Sequence, residues 1–403
     1  MLPAPAAAAP TTTAPPISGT RVTVLPRAEA GEAGDAGGTG GAVLKLVREQ
    51  RERYAPVRPI ATGGMGEVVL MHDQDIARPV AVKRLLPEIA DASALLRFAD
   101  EVRIIGQLEH PNIVPIHDVG VDADGRYFFV MKYIEGETLA AVLERLRAGD
   151  PEAQSVYTME RRVEIALGVL NALALAHSRG ILHRDIKPSN IMIGRYGEVV
   201  VMDWGIAKPM PLARREAQSA EGTPISSERP LATRAGAYVG TPSYMSPEQA
   251  LGKNDELDAR SDLYSVAVVL HELLGLRHYL GEQPSVEATL AAVVSVEPTR
   301  RELFAPQHPQ KARVPWELRY VVAKGLQKDP AQRYQSAGEM IEALRRANEG
   351  RGGVHCQVTL IKWMLRGMGR LVDRHPAAAV LAMLAMAASM VFTGLTMVRS
   401  ALG

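Results

Sequence analysis

Apolar positions recur with different periods along the chain, and those periods mark out its elements. Across residues 162–177 apolar side chains return every three to four positions, which predicts a helix. Leu95, Phe98, Val102 and Ile105 keep the same spacing and predict a second helix, with Glu101 on it. Val199-Val200-Val201-Met202 is a short continuous apolar run, the mark of a buried strand. β-like runs also flank a glycine cluster near residue 63, and Val80-Ala81-Val82 continues that pattern.

The two ends break these rhythms. Residues 377–398 are 22 positions without a charge. As a helix they would reach ~33 Å, enough for a ~30 Å hydrocarbon core. The reading is a transmembrane helix over 376–398 with a short tail, 399–403. Before it, Lys362, Arg366, Arg370 and Arg374 recur every fourth residue and form one basic stripe on a helix. Such a stripe suits anionic headgroups, and the positive-inside rule places the preceding chain in the cytoplasm. The expected location is the inner (cytoplasmic) membrane, crossed once, with 349–375 as a basic linker. At the other end, Pro, Gly and Ala make up 24 of the first 42 residues. This composition predicts a disordered arm over 1–42, followed by a short lead-in, 43–53.

Composition narrows the rest. Lys and Arg number 46 against 45 Asp and Glu, so the net charge is +1, which argues against a nucleic-acid partner. Aromatic residues are 5%, too few for base-stacking platforms. The single cysteine, Cys356, forms no internal disulfide. His117, His271 and His278 show no metal-ligand grouping and read as packing or surface residues.

The candidate chemistry lies between residues 54 and 348. Ala61-Thr62-Gly63-Gly64-Met65-Gly66-Glu67-Val68 sits between β-like runs, and glycines let backbone amides approach a polyphosphate. Lys83 ends the next apolar run, and Glu101 is its candidate partner inside the fold. His183-Arg184-Asp185-Ile186-Lys187-Pro188-Ser189-Asn190 follows the long helix, and Asp203-Trp204-Gly205 follows the valine run. An Asn and an Asp so placed make an oxygen cage suited to a hard divalent cation.

That order of motifs, closed by Ser246-Pro247-Glu248, resembles bacterial Hanks-type (eukaryotic-like) serine/threonine protein kinases over about three-quarters of the chain. The resemblance implies an α+β, two-lobed fold: an antiparallel sheet with one helix over 54–134, then a mainly helical lobe over 135–348. It implies ATP as co-substrate, Mg²⁺ with Mn²⁺ as a substitute, and protein substrates. By that resemblance Ala61, Gly63, Gly64 and Gly66 cover the phosphates. Lys83, held by Glu101, contacts them as well. Val68, Ala81, Met131, Lys132, Ile134 and Met192 surround adenine. Asp185 is the base, Lys187 steadies the γ-phosphate, and Asn190 and Asp203 hold the metal. Arg184, Glu248, Asp262 and Arg333 are structural, and Thr241 contacts Asp185 and Lys187 at the substrate groove.

The chain departs from the family pattern in places. Ala61 replaces the first loop glycine, Trp204 replaces the usual Phe, and Glu248 comes 45 positions after Asp203. Thr233 in that long segment is the candidate phosphosite, modified by transient self-association at a membrane. Two other classes fit less well. A scaffold without catalysis ordinarily lacks the equivalents of Lys83, Asp185 or Asp203. A small-molecule phosphotransferase lacks the stretch from Thr241 to Glu248 with Asp262 and Arg333.

Overall fold

The structure is a computed structural model. It describes residues 23–29, 43–49, 53–63, 66–86, 92–122, 124–204, 208–209, 241–296, 314–349 and 389.

Five strands form one antiparallel sheet: β3 (Tyr54–Thr62), β4 (Gly66–Asp73), β5 (Arg78–Leu85), β6 (Ile116–Val121) and β7 (Tyr127–Lys132). Their order is β3-β4-β5-β7-β6. Helix α1 (Ala92–Gly106) lies between β5 and β6 in sequence. Its apolar stripe does what the spacing predicts. Phe98 is buried with Leu85 and Phe129, and Leu95 and Val102 pack on the same cluster. A second cluster, including Tyr54, Met71, Val80, Val82 and Val130, fills the other side of the sheet.

The remaining described chain is mainly helical. It comprises α2 (Leu139–Ala148), α3 (Pro151–Val156), α4 (Met159–Ser178), α5 (Pro247–Ala250), α6 (Ala259–Gly275), α7 (Val286–Ser295), α8 (Trp316–Gly325) and α9 (Ala337–Asn348). Helix α6 is buried at every residue from Ser261 to Leu274, so it is buried all round rather than along one stripe, and its polar residues, Asp262 and Glu272 among them, are enclosed with the rest. Helices α4, α8 and α9 pack about it in one continuous core. Thr158 caps α4 by accepting the N–H of Arg161, and Ser285 and Ser336 cap α7 and α9 in the same way. Each such cap is worth about 1 kcal/mol.

Strand β9 (Ile181–Leu182) follows α4, and a three-stranded sheet stands where the lobes meet, with β10 (Ile191–Gly194) between β11 (Val199–Val201) and β8 (Gly136–Thr138). The valine run forms β11 as predicted. Behind it, α4 approaches so closely that a Cβ on Gly168 would stand 2.8 Å from the Val199 Cβ.

One strand is described within the expected arm and one within the expected lead-in. Strand β1 (Thr23–Glu29) pairs antiparallel with β2 (Val43–Glu49), from Thr23 opposite Glu49 to Glu29 opposite Val43. The overall composition concealed a local β-forming run, Thr23-Val24-Leu25, matched by Val43-Leu44-Lys45-Leu46-Val47. Ordered packing also starts one residue before 54, since Arg53 pairs with Asp73 at 2.9 Å and Asp118 at 3.2 Å. The expected membrane span lies outside the described residues apart from Ser389. Among the described residues no helix is long and apolar enough to cross a membrane.

Candidate active site

The β4–β5 register sets Lys83 opposite Val68, and helix α1 brings Glu101 to meet it. Lys83 Nζ donates to Glu101 Oε1 at 2.7 Å and Oε2 at 2.9 Å, and reaches Asp203 Oδ1 at 3.3 Å. Two carboxylates, one on α1 and one just after β11, therefore share one ammonium group. Glu101 is only 3% exposed. Burial works against the Lys83 charge, but the carboxylates of Glu101 and Asp203 outweigh it and raise its pKa. Asp203 is half exposed on its side chain. Desolvation opposes its ionisation too, yet the positive charges of Lys83 and Lys187 hold it below the ordinary range.

The glycine turn precedes this group. Gly63 N–H donates to the Gly66 carbonyl at 2.8 Å, closing the turn between β3 and β4. A Cβ on Gly66 would lie 2.3 Å from the Arg84 carbonyl oxygen, so this position requires glycine. Ala61 sits in β3 opposite Val68. Gly64 lies outside the described residues.

Below the sheet, the loop from His183 to Asn190 folds back on itself. Lys187 Nζ donates to Asp185 Oδ2 at 2.7 Å. Asn190 Nδ2 donates to the Asp185 carbonyl at 2.9 Å and to Asp185 Oδ2 at 3.1 Å. With its nitrogen engaged, Asn190 has its amide oxygen left for a cation. That oxygen and the Asp203 carboxylate form an all-oxygen donor set, which fits Mg²⁺ or Mn²⁺. His183 Nδ1 accepts the Asp185 N–H at 3.2 Å, so its Nε2 carries the proton and donates to the Met202 carbonyl at 3.1 Å. The His183 ring also packs on Trp204, with centroids 4.6 Å apart. Trp204 is fully buried, and its indole nitrogen has no hydrogen-bond partner among the described residues. An orphan of this kind costs about 1–3 kcal/mol, more than a simple exchange for Phe suggests.

Two residues here adopt the left-handed backbone: Arg184 at φ 69° and Asp203 at φ 59°. For a residue with a Cβ this costs about 1–2 kcal/mol. Arg184 is held at both its polar backbone groups. Asp262 Oδ1 accepts its N–H at 2.8 Å, and Gln249 Nε2 donates to its carbonyl at 2.9 Å. Asp262 also accepts from His183 N–H at 2.9 Å and pairs with His177 at 2.8 Å. Burial alone would raise the Asp262 pKa; His177 and the backbone donors bring it below the ordinary range.

The apolar positions also converge. Met131 and Met192 pack with Ile134, Val114 and Val200 in one small cluster, and Ala81 lies opposite Met131 in the sheet. Val68 lies on β4 two positions from Leu70, the partner of Ala81, and the Lys132 N–H at the end of β7 bonds the Pro115 carbonyl. Glu248 and Arg333 form a buried two-pronged pair, both bonds 2.8 Å. Desolvation opposes the Glu248 charge, and Arg333 overrides it and lowers its pKa.

Sequence reasoning missed Gln249 and His177. Gln249 carried one legible signal, because Ser246 and Gln249 form a capping box on α5. Its second role, reaching Arg184 across 65 residues, left no local trace. Thr233 lies outside the described residues. Among the described residues no group of His, Cys, Asp or Glu has metal-cage spacing.

Residues 54–344 match the protein kinase domain family. A probable serine/threonine-protein kinase of Streptomyces coelicolor is 36% identical over 81% of this chain and 44% of its own length. Serine/threonine-protein kinase PknD of Protochlamydia amoebophila is 33% identical over 77% and 31%. PknB of Mycobacterium tuberculosis is 35% identical over 74% and 43%. The chain spans less than half the length of these curated relatives. Among solved structures, the Mycobacterium tuberculosis PknI kinase domain overlays with a TM-score of 0.50 at 24% identity, covering 73% of this chain and 96% of that one.

Proposed function

The chain belongs to the protein kinase family, and on that premise we propose that it transfers the γ-phosphate of ATP to Ser and Thr hydroxyls of proteins. The observation that carries this reading is the Lys83 ammonium, shared between Glu101 at 2.7 Å and Asp203 at 3.3 Å. It joins the phosphate-facing strand to the metal-facing aspartate. Phosphoryl transfer asks mainly for positioning and charge neutralisation. Lys83 supplies positive charge toward the α- and β-phosphates, and Glu101 fixes where that charge points. Gly63 and Gly66 keep the backbone close enough to cover the phosphate chain. Mg²⁺, when bound by Asn190 and Asp203, offsets the negative charge of the transferring group. Asp185 orients the acceptor hydroxyl and takes its proton on a carboxylate oxygen. Lys187, 2.7 Å from that carboxylate, steadies the γ-phosphate beside it. Met131, Met192, Val68 and Ala81 form the apolar walls for adenine, and the Lys132–Ile134 backbone its hydrogen-bonding edge.

The test is the purified full chain with γ-labelled ATP, Mg²⁺ and a generic protein acceptor, beside Asp185→Asn. Label on the acceptor that disappears in the variant supports the reading. No transfer by the natural chain would leave a binding scaffold instead.

The remaining parts of the proposal are regulatory. Residues 376–398 anchor the chain in the inner membrane with the kinase domain in the cytoplasm, and 349–375 rest on anionic lipid. The uncharged 22-residue run and the basic stripe before it support this. Concentration on a surface favours transient self-association and phosphorylation of Thr233 in trans. Membrane fractionation of the full chain and of a form ending at residue 350 tests the anchor. Phosphosite mapping after incubation with Mg-ATP tests Thr233; an active enzyme with that residue unmodified would refute it.

A further inference from the structure

Side chains alternate across the five-stranded sheet, so residues directly opposite each other on neighbouring strands share a face. Val68 on β4 faces Lys83 on β5, and both belong to the inner face, toward the candidate site. Glu67 is opposite Arg84 on the outer face. Most of that outer face is the apolar cluster around Met71 and Val82. Its end beside Gly66 is charged instead. Arg84 Nε is 3.2 Å from Glu67 Oε1, and Arg126 Nη1, just before β7, is 3.7 Å from the same oxygen. Arg126 also donates to Asp122 Oδ2 at 3.0 Å and to Asp124 Oδ2 at 3.1 Å, in the turn between β6 and β7. A ladder of alternating charge thus runs from the start of β4 to that turn.

The Arg84 side chain is fully buried. Burial lowers its pKa, and the Glu67 carboxylate opposes that shift. Separating an enclosed guanidinium from a carboxylate is costly, so Glu67 is held in place. Arg84 acts through its backbone as well, because its carbonyl oxygen leaves no room for a Cβ on Gly66. One residue of β5 therefore meets two consecutive positions of β4. The incoming strand differs: β3 is exposed from Val57 to Thr62 and carries two bulges. The turn that Gly63 closes on the Gly66 carbonyl accordingly takes its position from β4.

We propose that Glu67 is a positioning residue for the phosphates of ATP: clamped by Arg84 and Arg126 on the outer face of the sheet, it sets where the Gly63–Gly66 turn stands relative to Lys83 on the inner face. This rests on the kinase reading and adds to it residues that touch no substrate. Lys83 and Arg84 are adjacent, so one stretch of β5 fixes both the cation and the backbone that meet the phosphates. Adenine depends on the ladder less. Of the four side chains that wall it, only Val68 lies on β4; Ala81, Met131 and Met192 lie on β5, β7 and β10.

The test is calorimetric titration of the full chain with Mg-ATP and, separately, with adenosine, which has no phosphates. Glu67→Gln removes the charge and keeps the size of the side chain. It should weaken Mg-ATP binding roughly tenfold and adenosine binding by less than about twofold. In steady-state assays the KM for ATP should rise in parallel, with kcat within about twofold. Glu67→Asp keeps the charge and should retain most of the ATP affinity. Arg126→Gln should weaken ATP about threefold, and should add nothing when combined with Glu67→Gln, because its effect passes through that residue. Ser336→Ala loses only the cap of α9; it should lower the melting temperature and leave both affinities unchanged. That control separates lost stability from lost position, and melting temperatures show that every variant is folded. Unchanged ATP affinity in folded Glu67→Gln overturns the proposal. Equal losses for ATP and adenosine overturn it too, as does simple addition of the Glu67 and Arg126 effects. A natural chain that binds no Mg-ATP removes the kinase reading and this proposal together, a result distinct from the other three.

Discussion

Asp262 holds Arg184 by its backbone, with Oδ1 2.8 Å from the Arg184 nitrogen. The two are 78 residues apart, and the bond keeps a left-handed residue in place directly before Asp185. Asp262 is 1% exposed and accepts from His183 and His177 as well. Asp262→Asn exchanges one acceptor oxygen for a donor facing other donors. It should cost about 2–4 kcal/mol in urea unfolding. The pH dependence has a definite sign. The folded pKa of Asp262 is lowered, so the unfolded chain binds this proton more readily. The stabilisation is complete above about pH 4 and is lost as pH falls through the lower folded value. The gap between natural chain and variant should therefore narrow only in acid.

Lys83→Met removes the cation from two carboxylates, one of them almost fully buried. Phosphotransfer should fall by at least ~100-fold. Stability should fall as well, because Glu101 loses its partner. Adding Glu101→Gln should recover part of that loss in thermal unfolding without recovering activity.

Asp203 separates backbone cost from chemistry. Ala and Gly at this position both delete the carboxylate, so both should abolish measurable transfer. Only Gly relieves the φ of 59°, and Asp203→Gly should be more stable than Asp203→Ala by about 1 kcal/mol. Equal stabilities would show that the left-handed backbone is not a cost in the folded chain.

Gln249→Glu keeps an acceptor for the Ser246 N–H and loses the donor to Arg184. Turnover should drop about tenfold with the KM for ATP unchanged, because the displaced atom carries Asp185. Ser246→Ala loses only the cap on α5 and should cost about 1 kcal/mol of stability with turnover retained.

Much of this site was legible because its chemistry is written in short runs. Asp185, Lys187 and Asn190 fall within six residues, and the strand before Asp203 announces itself by three valines. Periodicity placed two helices, since α1 and α4 bury the faces their spacing marks, while the two-lobed arrangement came from the resemblance to the kinase family. What escaped was set by distance along the chain or by averaging. Gln249 and His177 act on partners 65 and 85 residues away, and no local pattern encodes such a pairing. The β1–β2 hairpin was hidden by the glycine and proline around it.

The close approach of α4 to β11 reaches further than packing. Gly168 and the Val199 side chain divide one volume between them. A methyl group gained at residue 168 has to be surrendered at residue 199, or the strand that leads to Asp203 is pushed outward. The two positions are free to drift only as a pair, so the helix acts as a spacer gauge whose setting is kept jointly by two residues that never touch the substrate.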